Sequence, residues 1–135
     1  MTEIIAEIAN SHQGSPRNAE KLAIKSLEAG ADAVKFQIYF TDELLVENHP
    51  RYLHFKKQSF NEREWSKIIN KVKKRGKVYC DIFGLKAFKL AKKLGVDGYK
   101  IHSSDLVNYF LLKNLSKEKK KVFLSTGGSK IAEIK

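Results

Sequence analysis

The segment EAGADAVKF, residues 28–36, has a close counterpart in KLGVDGYKI, residues 93–101. In each, a helix-forming stretch ends at a glycine, an acidic turn follows, and an apolar segment then carries a lysine. Glycine commonly ends a helix because it adopts left-handed backbone angles without strain. The repeated order of helix, turn and strand is typical of β/α units, and it predicts a parallel sheet with right-handed crossovers.

Five short apolar segments supply the predicted strands, at residues 4–8, 33–38, 78–82, 98–102 and 122–125. Helices are predicted at residues 16–29, 61–76, 85–94 and 106–115, with a fifth beginning at Ser129. Ser15 and Asn61 are the predicted N-caps of the first two helices. Residues 39–60 have no clear periodicity and are predicted to form a long, ordered loop. Polar residues follow every strand, which is the distribution expected of a TIM-type (β/α) barrel, whose active site lies at that face.

The length of the chain limits how much of a barrel it can form. It has 135 residues, whereas a (β/α)8 barrel needs roughly 250. We therefore expect a truncated barrel of about five β/α units, the N-terminal part of a larger domain. A small five-unit α/β domain is the alternative.

Alternation along each strand predicts which polar side chains face the barrel interior. The apolar positions should meet the helices, which places Cys80 in the core. The other positions carry charged or polar residues, which are rarely buried unless they are paired or functional. A salt-bridge layer formed by one glutamate and two lysines is the structural alternative to a functional site. The predicted interior residues are Glu7, Lys35, Gln37, Asp81, Lys100, His102 and Ser125.

The two interior lysines suggest a site for a phosphate or a carboxylate. Ser103 and Ser125 lie close to them in the predicted fold, and the Thr126-Gly127-Gly128 turn could add backbone N–H donors. His12 and His102 follow strands, where a histidine could act as an acid or base. The chain contains no His-x-x-His or Cys/His spacing, so no metal ligand is predicted within it.

The charge and cysteine content bound the class of protein. The net charge of +11 requires a nucleic-acid partner to be considered. The lysine runs at residues 71–77 and 117–121 lie at predicted helix C-termini, where cations complement the helix dipole; nucleic-acid binding is therefore not favoured. A single cysteine, no leader segment and no apolar stretch of about 18 residues predict a soluble cytoplasmic protein without a membrane partner.

Four motifs, AEIANSHQG, GADAVKFQ, GYKIHSSDLVNY and VFLSTGG, resemble the N-acetylneuraminate (sialic acid) synthase family. The resemblance implies condensation of phosphoenolpyruvate with an N-acetylated amino sugar, such as N-acetylmannosamine, to give a nonulosonic acid and phosphate. By this resemblance Glu7, Lys35 and Lys100 are catalytic. The resemblance also implies a set of substrate-binding positions: Gln37, Asp81, Ser103, Asp105 and Ser125. His12, in the loop after the first strand, is predicted to bind substrate with them.

The sequence departs from the family pattern at two places. The usual Asn-His-x-Gly reads Ser11-His12-Gln13-Gly14, and the strand 3 motif Ser-Thr-Pro-Phe reads Cys80-Asp81-Ile82-Phe83. A hydroxyl that helps to hold phosphate is thus replaced by Asp81, an anion. Asp81 would repel phosphate unless it pairs with a lysine or serves another role.

The resemblance also implies parts that these 135 residues do not contain. They are a divalent metal, Mn or Mg, held by two histidines on later strands, and a C-terminal antifreeze-like domain that completes the site in a homodimer. We therefore expect the isolated chain to be inactive. The alternatives are a related phosphoenolpyruvate-dependent synthase or aldolase making deoxy-sugar acids, and a non-catalytic basic fragment that binds a nucleic acid or a partner chain.

Overall fold

A single parallel sheet organises the chain. The computed structural model describes residues 2–134, and its five strands lie side by side in the order β1-β2-β3-β4-β5. All five predicted strands are confirmed, with their ends displaced by no more than one residue. The strands are β1 (Ile5–Ala9), β2 (Ala33–Ile38), β3 (Lys77–Ile82), β4 (Gly98–Ile101) and β5 (Lys121–Leu124).

Helices connect the strands, and two of them begin at the predicted caps. The Ser15 hydroxyl accepts a hydrogen bond from the Asn18 N–H at 3.3 Å, where the first helix begins. Asn61 and Glu64 bond to each other's backbone N–H groups as a capping box. None of the helices within residues 2–134 combines the length and apolar character needed to cross a bilayer. The helices are α1 (Pro16–Glu28), α2 (Thr41–Leu44), α3 (Tyr52–Gln58), α4 (Glu62–Val72), α5 (Gly84–Lys93), α6 (Tyr109–Leu115) and α7 (Ile131–Ile134).

The prediction of a loop at residues 39–60 was wrong, because this segment contains α2 and α3. Each of these short helices buries a single residue, Thr41 in α2 and Tyr52 in α3, so neither has an apolar stripe that periodicity could reveal. The Tyr39 hydroxyl donates to the Phe55 carbonyl oxygen at 3.2 Å, which ties α3 to the end of β2. The helix predicted at 106–115 is also shorter, because Asn108 caps α6 and a 3-10 turn, Ser103–Asp105, precedes it.

The main core lies between the convex side of the sheet and the helices. Val34, Phe36 and Cys80 are fully buried there, which confirms the predicted outward face of β2 and β3. Trp65 of α4 is also buried, and its ring lies edge-on to Phe36 with centroids 5.6 Å apart. These contacts fix the helix layer, so polar residues on the opposite strand positions point to the other side of the sheet.

The repeated acidic turns have a structural role. Asp32 accepts a hydrogen bond from the Ile4 N–H at 2.8 Å, and Asp97 accepts one from the Val78 N–H at 2.8 Å. In both cases the turn before one strand is tied to the start of the neighbouring strand. The repeat seen in the sequence therefore sets the alignment of β2 against β1 and of β4 against β3.

The sheet is curved like the wall of a barrel. Strands in a sheet are about 4.8 Å apart, so the outer strands of a flat five-stranded sheet would be separated by about 19 Å. Nevertheless Glu3, just before β1, lies 2.5 Å from the Lys121 ammonium at the start of β5. The Tyr79 hydroxyl of β3 donates to the same carboxylate at 2.8 Å. Only a sheet that curls around its inner face can bring these groups together.

Candidate active site

Four charged side chains from four neighbouring strands meet on the inner face near the C-terminal ends of the strands. We call Glu7, Lys35, Asp81 and Lys100 the upper cluster. The Lys35 ammonium donates to Glu7 and also to Asp81, at 2.5 Å from Asp81 Oδ2. The Lys100 ammonium lies 3.0 Å from Asp81 Oδ1 and 3.3 Å from Oδ2. The predicted convergence of these residues is therefore seen in the structure.

Strand register explains why these residues meet. Glu7 of β1 is paired with Lys35 of β2, and Asp81 of β3 is paired with Lys100 of β4. Asp81 is also opposite Gln37, two residues beyond Lys35 on the same face of β2. Each lysine is thus within reach of a carboxylate on an adjacent strand.

Burial and pairing fix the charge of Lys35. Its side chain is only 10% exposed. Desolvation lowers the pKa of Lys35, but its hydrogen bonds to Asp81 and Glu7 outweigh this effect, so the net pKa is raised. Lys35 therefore stays protonated, and it can act by its charge but not as a base at neutral pH.

The predicted serine positions lie at the same end of the sheet as the upper cluster. The Ser125 N–H donates to the Ile101 carbonyl at 3.1 Å, so Ser125 continues β5 along β4 just beyond Lys100. Ser103 follows β4, and a Cβ placed on Gly127 would be 3.8 Å from the Ser103 Oγ. The turn after β5 and the serine after β4 are thus neighbours at the same edge of the sheet.

Asp105 has a contact that differs from its predicted role. Its carboxylate accepts a hydrogen bond from the Asn108 amide at 2.9 Å, and Asn108 in turn caps α6 by accepting from the Leu111 N–H. Asp105 therefore holds the start of α6. Its role in substrate binding stays a prediction.

A cleft of about 320 Å³ opens at the same end of the sheet beside Gln37. Its walls come mainly from the segments that follow β1, β2 and β3, and they are largely apolar. The Oδ1 atom of Asn10 is buried there without a hydrogen-bond partner among residues 2–134. Desolvation raises the pKa of Tyr39 to about 12, so this phenol stays neutral. Residues that line the cleft include Asn10, Gln37, Tyr39, Arg51, Phe55 and Phe83.

Sequence reasoning missed most of this cleft. Asn10, Tyr39 and Phe83 directly follow the ends of β1, β2 and β3, a position that was the available signal. Arg51 lies in the segment that was wrongly predicted to be a loop. Its guanidinium lies 5.1 Å from the centroid of the Phe55 ring, a contact that depends on α3.

The two candidate histidines lie in different surroundings from the upper cluster. His12 is 1% exposed, and its ring centroid is 4.5 Å from that of Phe60. Its Nδ1 accepts from the Gly14 N–H at 3.1 Å, and burial lowers the pKa of His12. His102 is exposed and its ring lies 5.3 Å from that of Phe83. These contacts give His12 a packing role, and its predicted part in substrate binding stays untested.

The side chains present do not form a metal site. No group of three or more His, Cys, Asp or Glu residues within the described range 2–134 is placed to hold an ion. The two carboxylates of the upper cluster are both bound by lysines. The residues here thus do not fit the divalent metal that the family resemblance implies.

Comparison with known proteins identifies the family. A model of the NeuB family matches residues 23–135. The chain is 35% identical over 134 residues to an uncharacterized protein of Methanocaldococcus jannaschii, covering 98% of this chain and 40% of that protein. It is 29% identical over 148 residues to the N,N'-diacetyllegionaminic acid synthase of Campylobacter jejuni, covering 98% and 44% respectively.

A solved structure gives the same result. The N-acetylneuraminic acid synthetase of Leptospira borgpetersenii, in complex with citrate, matches with a TM-score of 0.89 at 29% identity, covering 97% of this chain and 46% of that one. The predicted α/β fold of TIM-barrel type and the predicted resemblance to sialic acid synthases are both confirmed. The chain spans less than half the length of these relatives. It belongs to the NeuB family, a family of sialic-type acid synthases.

Proposed function

We propose that this chain forms the phosphoenolpyruvate-binding part of the active site of a nonulosonic acid synthase. The reaction joins the methylene carbon of phosphoenolpyruvate to the aldehyde carbon of an N-acetylated amino sugar. Water adds to the resulting cation, and phosphate leaves by C–O cleavage. The observation that carries the proposal is the convergence of Lys35 and Lys100 on Asp81, at the end of the sheet where Ser103 and Ser125 follow β4 and β5.

Lys100 is the cation best placed to meet the anionic substrate. Its side chain is 29% exposed, compared with 10% for Lys35. Ser103, Ser125 and the Gly127-Gly128 turn follow β4 and β5 at the same end of the sheet, and we assign them as neutral donors to the ligand. Lys35 lies deeper and holds Glu7 and Asp81 in place without having to contact the ligand.

Glu7 and the cleft suit the remaining steps. The Glu7 side chain is 44% exposed although it is bound to Lys35, so one carboxylate can face both the lysine and a substrate. We assign it an orienting or proton-transfer role at the reacting carbons. The acceptor sugar would occupy the cleft beside Gln37, which is large enough to hold part of a sugar and has Asn10, Gln37 and Arg51 among its lining residues.

Further β/α units are proposed to complete the barrel. Val122 and Leu124 lie on the outward face of β5 and are 39% and 44% exposed, whereas the outward residues of β2 and β3 are fully buried. Helices beyond residue 134 would cover them. We also propose that this longer protein holds its Mn or Mg ion through residues outside 2–134, carries an antifreeze-like domain, and works as a homodimer.

The test is the reaction itself, measured on protein that includes this chain and the remaining length of its relatives. Phosphate release and sugar-acid formation from phosphoenolpyruvate and N-acetylmannosamine are followed for wild type, Lys100→Ala and Lys121→Ala. Loss of one charged contact to the substrate in Lys100→Ala should lower kcat/KM for phosphoenolpyruvate by roughly 100-fold. Lys121, at the other end of β5, provides the matched control. Equal activity of Lys100→Ala and wild type would contradict the proposal.

A further inference from the structure

Asp81 is the residue that joins the two lysines of the upper cluster. It is 1% exposed, and its carboxylate spans the gap between β2 and β4. Oδ2 lies 2.5 Å from the Lys35 ammonium and 3.3 Å from that of Lys100, while Oδ1 lies 3.0 Å from Lys100. A ligand that approaches either lysine therefore meets an anion that is already in place.

The charges of the upper cluster cancel. Two carboxylates, Glu7 and Asp81, face two ammonium groups, Lys35 and Lys100. An ammonium group has three N–H donors, and Lys35 directs two of them at these carboxylates. Lys35 is thus largely used within the protein. Lys100 is the more exposed of the two lysines, with 29% of its side chain exposed, and one side of it faces Asp81.

The neutral balance depends on Asp81 in particular. With a threonine or an asparagine at this position, Lys35 would still be paired with Glu7, and Lys100 would have lost its only carboxylate partner among residues 2–134. The cluster would then have one unbalanced positive charge facing the open end of the barrel. Positive charge of this kind is what a phosphate or carboxylate group requires.

We infer that Asp81 is a specificity-determining residue that occupies the lysine pair as an internal anion, so that a phosphate-bearing ligand must compete with it for Lys100. The inference rests on the proposed function only in assigning that ligand to the reaction. It follows that this chain binds simple oxyanions weakly at the upper cluster, and that removal of the Asp81 charge strengthens their binding.

The experiment is an isothermal calorimetric titration of the full 135-residue chain with inorganic phosphate, which measures the dissociation constant. Wild type, Asp81→Asn and Asp81→Thr are compared. Removal of one negative charge within a few ångströms of the bound anion should tighten phosphate binding on the order of ten- to a hundredfold. Asp42→Asn is the matched control, because it removes one carboxylate from an exposed pair with Lys86 on the surface. We expect it to bind phosphate as the wild type does.

Binding at or below the wild-type affinity in both Asp81 variants would overturn the inference. Asparagine has nearly the shape of aspartate, and circular dichroism confirms that the variants are folded before they are titrated. A second measurement needs no variant: NMR of the lysine ammonium groups in the wild type at high phosphate concentration. The Lys100 signal should shift more than the Lys35 signal, and an equal shift of both would also overturn the inference.

The phosphate titration tests the role of Asp81 separately from the proposed synthase function. Phosphate titration requires no sugar and no turnover, so a gain of affinity in the Asp81 variants supports the inference even if the longer protein makes no sugar acid. Conversely, synthase activity together with unchanged phosphate affinity in both variants would support the proposed function and reject the role given to Asp81.

Discussion

The two ends of the sheet carry ionic clusters of similar composition but different burial. The upper cluster joins Glu7, Lys35, Asp81 and Lys100, and its lysine side chains are 10% and 29% exposed. We call the group at the other end the lower cluster; it consists of Glu3, Lys77, Tyr79 and Lys121. Its lysine side chains are 61% and 49% exposed.

The difference in burial predicts which cluster contributes more to stability. Exposed ion pairs contribute little, because water and salt screen them. A buried pair costs desolvation, and removing one partner leaves a charge that is not compensated. In TIM barrels the C-terminal end of the strands holds the active site and the N-terminal end serves stability. The upper cluster thus lies at the binding end of the sheet, and its burial also makes its ion pairs the ones that matter more for stability. The lower cluster links β1 to β5 through exposed pairs.

The largest effect is expected from Lys35→Ala. It removes the ammonium group that both Glu7 and Asp81 bind, and it leaves Asp81, which is 1% exposed, with only the partly exposed Lys100. The free energy of unfolding should therefore fall by roughly 3 kcal/mol. Lys77→Ala in the lower cluster removes an exposed partner of Glu3 and should cost less than about 1 kcal/mol. Urea denaturation of the two variants measures both values. Similar losses would show that burial does not distinguish the clusters.

A smaller effect is expected from Lys100→Ala. Asp81 keeps its bond to Lys35 in this variant, and the Lys100 side chain is partly exposed, so the loss should be about 1 kcal/mol. The thermal unfolding midpoint should therefore fall between those of Lys35→Ala and wild type. A midpoint at or below that of Lys35→Ala would mean that Lys100, and not Lys35, neutralises Asp81.

The smallest effect concerns acid stability and the lower cluster. Hydrogen bonds from Lys121 and Tyr79 lower the pKa of Glu3 from 4.5 to about 2. The folded state thus binds this proton less readily than the unfolded state does. The contribution of Glu3 is fully present above about pH 4.5 and is lost as the pH falls to about 2.

Glu3→Gln should flatten this part of the stability profile. Thermal unfolding of wild type and variant at intervals between pH 2 and pH 6 measures the difference, which should vanish at the acid end of the range. A gap between the two curves that stays constant over the whole range would rule out ionisation of Glu3 as its cause.

Much of the fold was predictable because it depends on local patterns. The strands and the caps at Ser15 and Asn61 follow from apolar segments and capping residues, and all were confirmed. The helices α2 and α3 were missed, since their order depends on tertiary contacts such as the bond from Tyr39 to Phe55. The contact between His12 and Phe60 also depends on tertiary packing and was not predicted, while the predicted part of His12 in substrate binding stays untested.

The sequence predicted which residues form the upper cluster, but not which of them form ion pairs with one another. Alternation placed Glu7, Lys35, Asp81 and Lys100 on one face, which the structure confirms. Alternation alone could not reveal that Asp81 binds both lysines, because this depends on strand register and side-chain reach. The lower cluster was missed for a similar reason: Glu3 contacts Lys121, 118 residues away, only because the sheet curls.

The most direct test of the account is a crystal structure of this chain grown with phosphoenolpyruvate. Each end of the sheet offers two lysines, so the experiment compares the two clusters within one molecule. The phosphate group is expected to lie within hydrogen-bond distance of Lys100 and of Ser103 or Ser125, with the lower cluster unchanged. Phosphoenolpyruvate bound at Lys77 and Lys121, or absent from the upper cluster at saturating concentration, would contradict this expectation.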